Sequence, residues 1–198
     1  FAAADCTGHG VPGAMVSVIC NNGLNRSVNE FGIQHTGELL DKTREIVVKE
    51  FEKSEDEVKD GMDLSLVKIE KKGGGRMSLQ FSGANNPLWI IRKGSDKVES
   101  HKGTKQPIGK VDNPQKFEAL DLELEKGDRI YLFTDGYADQ FGGEKGKKMK
   151  AKRFQEFLLS IQSLEIAKQE EELKLFFTKW KGNLEQIDDV CVIGFEVE

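Results

Sequence analysis

Three aspartates in this chain share an unusual setting. Asp5 closes an apolar run and precedes Cys-Thr-Gly-His-Gly, Asp135 follows Ile-Tyr-Leu-Phe-Thr and precedes Gly136, and Asp188 with Asp189 leads into a closing apolar run. Each is a carboxylate at the end of a predicted strand, beside a turn. Carboxylates gathered at strand ends offer hard oxygen ligands on rigid supports, which is what a hard cation needs. A neighbouring glycine lets backbone carbonyls approach a metal and leaves room for water. Any one of these positions alone reads as structure, because Asp-Gly is a common turn and aspartate often caps helices. The Asp5 segment carries more. Asp-x-x-Gly-His-Gly followed by Val-Pro-Gly-Ala-Met is a loop poor in side chains between a strand and a helix, and packing alone does not require it.

Other chemistries find less support. Cys6, Cys20 and Cys191 are odd in number, scattered and without metal-ligand spacing. That argues against a disulfide framework and fits a reducing compartment, so a cytoplasmic chain is expected. Three histidines (His9, His35 and His101) are too few for a His-rich zinc site. No Cys/His nucleophile pair is evident. A net charge of −5 argues against a general nucleic-acid surface. No apolar run approaches the roughly 18 residues of a membrane span, and no secretory signal pattern opens the chain.

The elements that must position the aspartates follow from periodicity. The 198 residues suffice for one domain with a core and are short for two. A helix is predicted over 11–30, with Pro12 in its first turn and Met15, Val16, Ile19 and Cys20 on one face. A second spans 36–53, capped by Thr36, with Leu39, Leu40, Val47 and Phe51 as its stripe. Glu52 to Lys59 reads as a solvated helix end or loop. Leu64–Ile69 and the alternating Met77, Leu79 and Phe81 form a hairpin around Lys71–Gly75, and Leu88–Arg92 forms another with Val98. Phe117–Leu124 alternates, and Arg129–Thr134 is a continuous buried run. Helices return at 151–162 and 166–180, and Val190–Val197 is the last strand. Short hairpin turns mean antiparallel pairing, so the class is α+β rather than doubly wound α/β. Phe1 to Ala4 reads as the end of a buried strand, which suggests a fragment of a longer protein.

Five segments then carry a specific resemblance. Asp5-Cys-Thr-Gly-His-Gly-Val-Pro-Gly-Ala-Met15 resembles the first motif of the SpoIIE/RsbU-type bacterial serine/threonine phosphatases, a branch of the metal-dependent protein phosphatase (PPM) family. Phe81-Ser-Gly-Ala-Asn-Asn-Pro-Leu88 resembles their Gly-x-Asn-Pro-Pro-Leu strand and turn. Gln106-Pro-Ile-Gly109 is similar to their Pro-Leu-Gly loop, Leu132-Phe-Thr-Asp-Gly-Tyr-Ala-Asp139 to their Tyr-Thr-Asp-Gly motif, and Asp188-Asp-Val-Cys-Val192 to their closing Asp-Asp motif. The segments run in the family's order over residues 1–198, read as one phosphatase domain.

The resemblance implies a four-layer αββα sandwich, two antiparallel sheets flanked by helices, here lacking one or more N-terminal strands. It implies that Asp5 bridges two Mn²⁺ or Mg²⁺ ions, that the backbone carbonyl of Cys6 is a further ligand, and that Asp135 and Asp188 each hold a metal. It implies hydrolysis of phosphoserine or phosphothreonine on a partner protein, such as an anti-sigma-factor antagonist, by a metal-activated water. Two cations lower the pKa of that water and stabilise the attacking and leaving oxygens, so no side-chain nucleophile is needed. Relatives often carry an upstream sensor domain, some of them membrane-bound, and helices 11–30 and 36–53 are where such a sensor would be coupled to the Asp5 loop. An exposed sheet edge invites pairing with another chain, so a homodimer is an expectation.

The chain departs from the family pattern in two respects. The family's upstream acidic residue precedes Asp5, and this sequence starts after it. Some relatives have a histidine, a general acid, where this chain has Thr7; His9, two residues on, is read as a loop histidine bonded to the turn, the alternative being that it reaches the leaving oxygen. Three further features are read in their plainer sense or left open. Asp60-Gly-Met-Asp63 is a turn opening a strand, although the family can hold a third metal near there. Cys191 is a small core residue. Lys145–Arg153, with six basic residues in nine, is either a flap that draws in an acidic partner or a solvated loop. The rival functions are a PPM-fold binding module without activity and a two-metal phosphoesterase acting on a small molecule.

Overall fold

The structure is a computed structural model and describes residues 1–8, 10–52, 60–72 and 76–198. His9, the segment after residue 52 up to Lys59, and the Gly73–Gly75 tip of the predicted hairpin turn lie outside the described residues. The elements in order are β1 (Ala2–Cys6), α1 (Gly10–Asn29), α2 (Thr36–Phe51), β2 (Gly61–Lys72), β3 (Arg76–Ala84), β4 (Leu88–Ile91), β5 (Glu99–His101), β6 (Ile108–Gly109), β7 (Leu120–Leu124) and β8 (Arg129–Phe133). There follow α3 (Gly136–Asp139), β9 (Phe141–Gly142), β10 (Lys147–Lys148), α4 (Lys150–Ile161), α5 (Ile166–Lys181) and β11 (Val192–Glu196).

Two antiparallel sheets stack. The first runs β1-β2-β3-β7, with β6 paired to the start of β2. The second runs β11-β8-β4-β5. Strand alternation sorts the apolar side chains into layers, because successive residues point to opposite faces. Ala3, Val67, Leu79, Phe81, Leu88, Ile90, Ile130 and Leu132 meet between the sheets. Met62 and Leu64 point the other way and pack under α1 and α2 with Val16, Cys20, Leu40 and Val47. Trp89, Tyr131 and Phe133 pack under α3 and α4 with Tyr137, Phe154 and Leu158, and α5 adds Phe177 and Trp180. This is the four-layer αββα sandwich and the α+β class expected above. No helix among the described residues is long and apolar enough to cross a membrane.

Several local expectations need correction. The side chain that caps α2 is His35, whose Nδ1 accepts from the Glu38 N–H; Thr36 is buried and binds Gln80 and Ser82 instead. Met15 was expected on the inner face of α1 but is 60% exposed, because Val16 and Cys20 take that face. The strand predicted from Phe117 starts only at Leu120; Phe117 packs against α2, where Gly37 has no Cβ to clash with the Phe117 carbonyl. The last strand pairs from Val192 rather than Val190.

Candidate metal centre

The inter-sheet layer opens at one end, and the aspartates stand there. Ala3 and Asp5 lie on the same face of β1. Ala3 is buried in the inter-sheet core, whereas Asp5, two residues on, reaches the open end and is only half-buried. Asp135 follows β8 by two residues and precedes the single turn of α3. Thr134, buried between them, ties β8 to the chain entering β11. Its Oγ1 donates to the Asp189 carbonyl at 3.0 Å and accepts from the Cys191 N–H at 3.0 Å. Its N–H also donates to the Cys191 carbonyl at 3.0 Å. Asp188 is fixed in turn: its Oδ1 accepts from the Asp189 N–H at 2.8 Å, and its carbonyl accepts from Gln186 Nε2 at 2.9 Å.

The outcome is a triangle. One carboxylate oxygen each from Asp5, Asp135 and Asp188 lie within 4.8 Å of one another. Anions this close repel. Burial and then the charges of Asp188, Asp135, Asp189 and Asp63 push the Asp5 carboxyl up to about 6. Burial, Asp188, Asp139 and Asp63 raise Asp135 as well. A divalent cation is the group that would relieve this, and an all-oxygen donor set suits Mg²⁺ or Mn²⁺. The residues present therefore fit the expected ions. The cavity in front of the triangle is about 540 Å³ and is lined by Asp5, Cys6, Thr7, Gly8, Asp63 and the 186–189 segment.

The loop after Asp5 is held by its neighbours. Thr7 N–H donates to the Gly61 carbonyl at 2.9 Å, its Oγ1 donates to Asp60 Oδ1 at 2.7 Å, and the Gly61 N–H donates to that Oγ1 at 3.1 Å. Thr7 thus clasps the start of β2. Gly8 takes φ +86°, and its carbonyl lies so close to Gly13 that a Cβ there would stand 2.6 Å away. The loop is thereby folded onto the first turn of α1. The thiol of Cys6 turns away from the triangle, towards Cys20 and Ser17 in the helix layer.

Sequence reasoning missed three contributors. Asp63 is the direct ladder partner of Asp5 and lines the cavity, so it is more than part of a turn. The signal was present, since Met62 and Leu64 face the helices and Asp63 must then face between the sheets. Asn85, from the second motif, donates to Asp63 Oδ1 at 2.8 Å. Thr134 shows only strand periodicity in the sequence, and its link to residues 189–191 is a tertiary contact. The Gln106–Gly109 motif is a support: Ile108 is buried and pairs with Met62, and Gln106 binds the Gln115 main chain through both ends of its carboxamide. The basic run does not line the acidic cavity. Lys148 pairs with Asp139, Met149 is buried, and Arg153 stacks over Trp180. Cys191 is half-buried against the inter-sheet core, which raises its thiol.

Solved structures share this architecture. The SiaA-PP2C domain of Pseudomonas aeruginosa matches with a TM-score of 0.86 and 26% identity, over 100% of this chain and 75% of that chain. The RsbU and RsbW domains of Rv1364c from Mycobacterium tuberculosis match at 0.72 and 19%, over 98% of this chain and 50% of that one. The PP2C phosphatase domain of SpoIIE from Bacillus subtilis, solved with a fragment of its regulatory domain, matches at 0.69 and 20%, over 98% and 53%. The chain thus spans about half the length of the last two. No curated protein sequence matches it significantly. The fold is that of the PP2C-type phosphatase domains. The model of the family described as Stage II sporulation protein E covers residues 1–198, and the chain belongs to that SpoIIE family.

Proposed function

We propose that this domain removes phosphate from phosphoserine or phosphothreonine on a partner protein, using two Mn²⁺ or Mg²⁺ ions held by Asp5, Asp135, Asp188 and the backbone carbonyl of Cys6. The observation that carries this reading is the triangle of carboxylate oxygens within 4.8 Å at the open end of the sandwich. When bound, two such ions supply a water of lowered pKa as nucleophile and neutralise charge on the attacking and leaving oxygens. The residues of the chain do the positioning. Asp5 stands on a paired strand with the loop after it held by Thr7, so its carboxylate is pre-organised beside the other two. Thr134 sets the spacing of Asp135 from Asp188. The open cavity suits a phosphorylated side chain on a protein loop better than an enclosed small molecule.

An anti-sigma-factor antagonist is the partner class that the family resemblance favours, with an upstream sensor domain acting through α1 and α2, a cytoplasmic setting, and pairing with a second copy. The test is Mn²⁺-dependent release of phosphate from a phosphoserine protein, compared with a phosphopeptide and an aryl phosphate. It is run on the chain alone and within any longer protein that carries it, with Asp135→Asn as control. Turnover that needs metal and is lost in the variant supports the reading. Turnover of the aryl phosphate alone favours a small-molecule phosphoesterase. Metal bound without turnover on any substrate favours a binding module.

A further inference from the structure

Asp63 faces Asp5 across the β1–β2 ladder. Directly opposed residues of an antiparallel pair have Cβ atoms about 5 Å apart on one face, so the Asp63 side chain stands beside the carboxylate triangle and lines its cavity. A carboxylate on a strand can still swing about its own side-chain bonds. A hydrogen bond restrains this one: Asn85 Nδ2 donates to Asp63 Oδ1 at 2.8 Å.

The backbone around Asn85 is arranged in an uncommon way. Asn85 has φ +58°, and Lys150 is the other non-glycine residue with positive φ among those described. This left-handed conformation costs an L-residue about 1 kcal/mol or more, and asparagine tolerates it better than most. The turn is pinned on both sides. Asn85 N–H donates to the Thr104 carbonyl at 2.9 Å, Thr104 N–H donates to the Gly83 carbonyl at 2.8 Å, and Asn86 N–H donates to the Ala84 carbonyl at 2.6 Å. Gly83 and Gly103 let the two segments of chain touch, since a Cβ on Gly83 would lie 2.9 Å from the Gly103 Cα and one on Gly103 would lie 2.7 Å from the Gly83 carbonyl carbon. Glycine would meet the backbone demand at position 85 with less strain. What asparagine adds there is the carboxamide, and the carboxamide goes to Asp63. Non-glycine residues held in such conformations concentrate at functional sites.

We propose that Asn85 is a positioning residue of the metal centre: its carboxamide fixes the Asp63 carboxylate beside Asp5, so that the second sequence motif acts on the first through one hydrogen bond. The bond uses one lone pair of Oδ1, and the remaining lone pairs of the carboxylate are those that an ion, or water on an ion, would take. This inference rests on the two-metal reading above.

The test is calorimetric titration of Mn²⁺ into the metal-free chain. Asn85→Gly keeps a left-handed backbone and deletes only the carboxamide. Its Mn²⁺ dissociation constant should rise about tenfold, the scale of a lost hydrogen bond to a charged group. Its metal-free melting temperature should stay close to that of the parent. Asp63→Asn should weaken binding comparably. Adding Asn85→Gly to Asp63→Asn should then change the constant by less than about twofold, because the two residues act as one unit. If Asn85→Gly binds Mn²⁺ as the parent does, or if its effect persists in full in the Asp63→Asn background, the positioning role is overturned while the metal centre stands. If the parent itself binds neither Mn²⁺ nor Mg²⁺, the two-metal reading falls and this inference with it.

Discussion

Gly136 and Asp189 touch through their main chains: a Cβ added to Gly136 would lie 2.3 Å from the Asp189 carbonyl oxygen and 3.3 Å from the Cβ of Asp188. This contact lets the chain leaving β8 run against the chain entering β11, and so brings Asp135 to Asp188. The glycine after Asp135 is required here for closeness. Gly136→Ala must push the two segments apart. The expected result is a loss of about 1–3 kcal/mol of stability from overpacking, together with at least a tenfold weaker Mn²⁺ affinity, read by thermal melting and calorimetry. Unchanged affinity would show that this contact does not set the ligand spacing.

Metal should stabilise the domain, and pH should reveal why. The folded Asp5 carboxyl sits at about 6, above its ordinary 3.8, through burial and the surrounding carboxylates. A group raised on folding contributes its full stability below its unfolded value and loses it as pH rises through its folded value. The metal-free chain should therefore lose melting temperature between about pH 4 and pH 6.5 relative to Asp5→Asn. Mn²⁺ at about a hundred times its dissociation constant should restore ~2.7 kcal/mol, a rise of roughly 5–10 °C. Asp135→Asn should remove most of that rise. A metal-free parent that parallels Asp5→Asn across this range would contradict the repulsion argument.

Thr7 stands where some relatives carry a histidine, and its hydroxyl is already committed to Asp60 and the Gly61 N–H. Thr7→Val removes both bonds and should cost about 1 kcal/mol of stability and weaken Mn²⁺ binding several-fold by releasing the loop after Asp5. Thr7→Ser keeps the hydroxyl and should behave close to the parent. Equal behaviour of the two variants in a metal titration would refute the clasp.

Away from the site, Asp128 is the buried acid of the second sheet, only 2% exposed. Burial alone would raise its carboxyl. The Glu125 and Lys93 N–H groups and the Arg92 guanidinium, at 3.0, 3.0 and 2.8 Å, overcome that and hold it below its usual range. A carboxyl lowered on folding contributes stability above its unfolded value and loses it as pH falls through its folded one. Asp128→Ala should therefore destabilise by about 3 kcal/mol at neutral pH, and by progressively less below about pH 4. Urea unfolding of both proteins at a series of pH values measures the gap. A gap that widens towards acid would contradict the sign.

How much of this was legible in the sequence differs by level. Helix and strand positions came from periodicity, whereas the layers were implied by the family resemblance. Trp89 and Tyr131 must face away from Leu88 and Leu132 once the strands alternate, and they do. The errors are local and have tertiary causes. His35 caps α2 because Thr36 is drawn into bonds with Gln80 and Ser82, residues far along the chain. Met15 is exposed because Gly13, Val16, Cys20 and Gly23 take the buried face of α1.

For the site, the sequence by itself determined which carboxylates stand at strand ends. Asp5, Asp135 and Asp188 were visible because each follows or precedes an apolar run beside a turn, and the motif order pointed to a phosphatase family. Only the tertiary structure decided that the three converge within 4.8 Å, since that distance depends on strands from both sheets and on Thr134 and Gly136 joining β8 to the chain before β11. It also decided which other residues belong to the site. Asp63 and Asn85 are separated by 22 positions in sequence, and a hydrogen bond between them exists only because the β2–β3 pairing places Leu64 opposite Ala84. Composition and local period carry no information about such pairings: they are set by register, and register is fixed by the packing of the whole sheet.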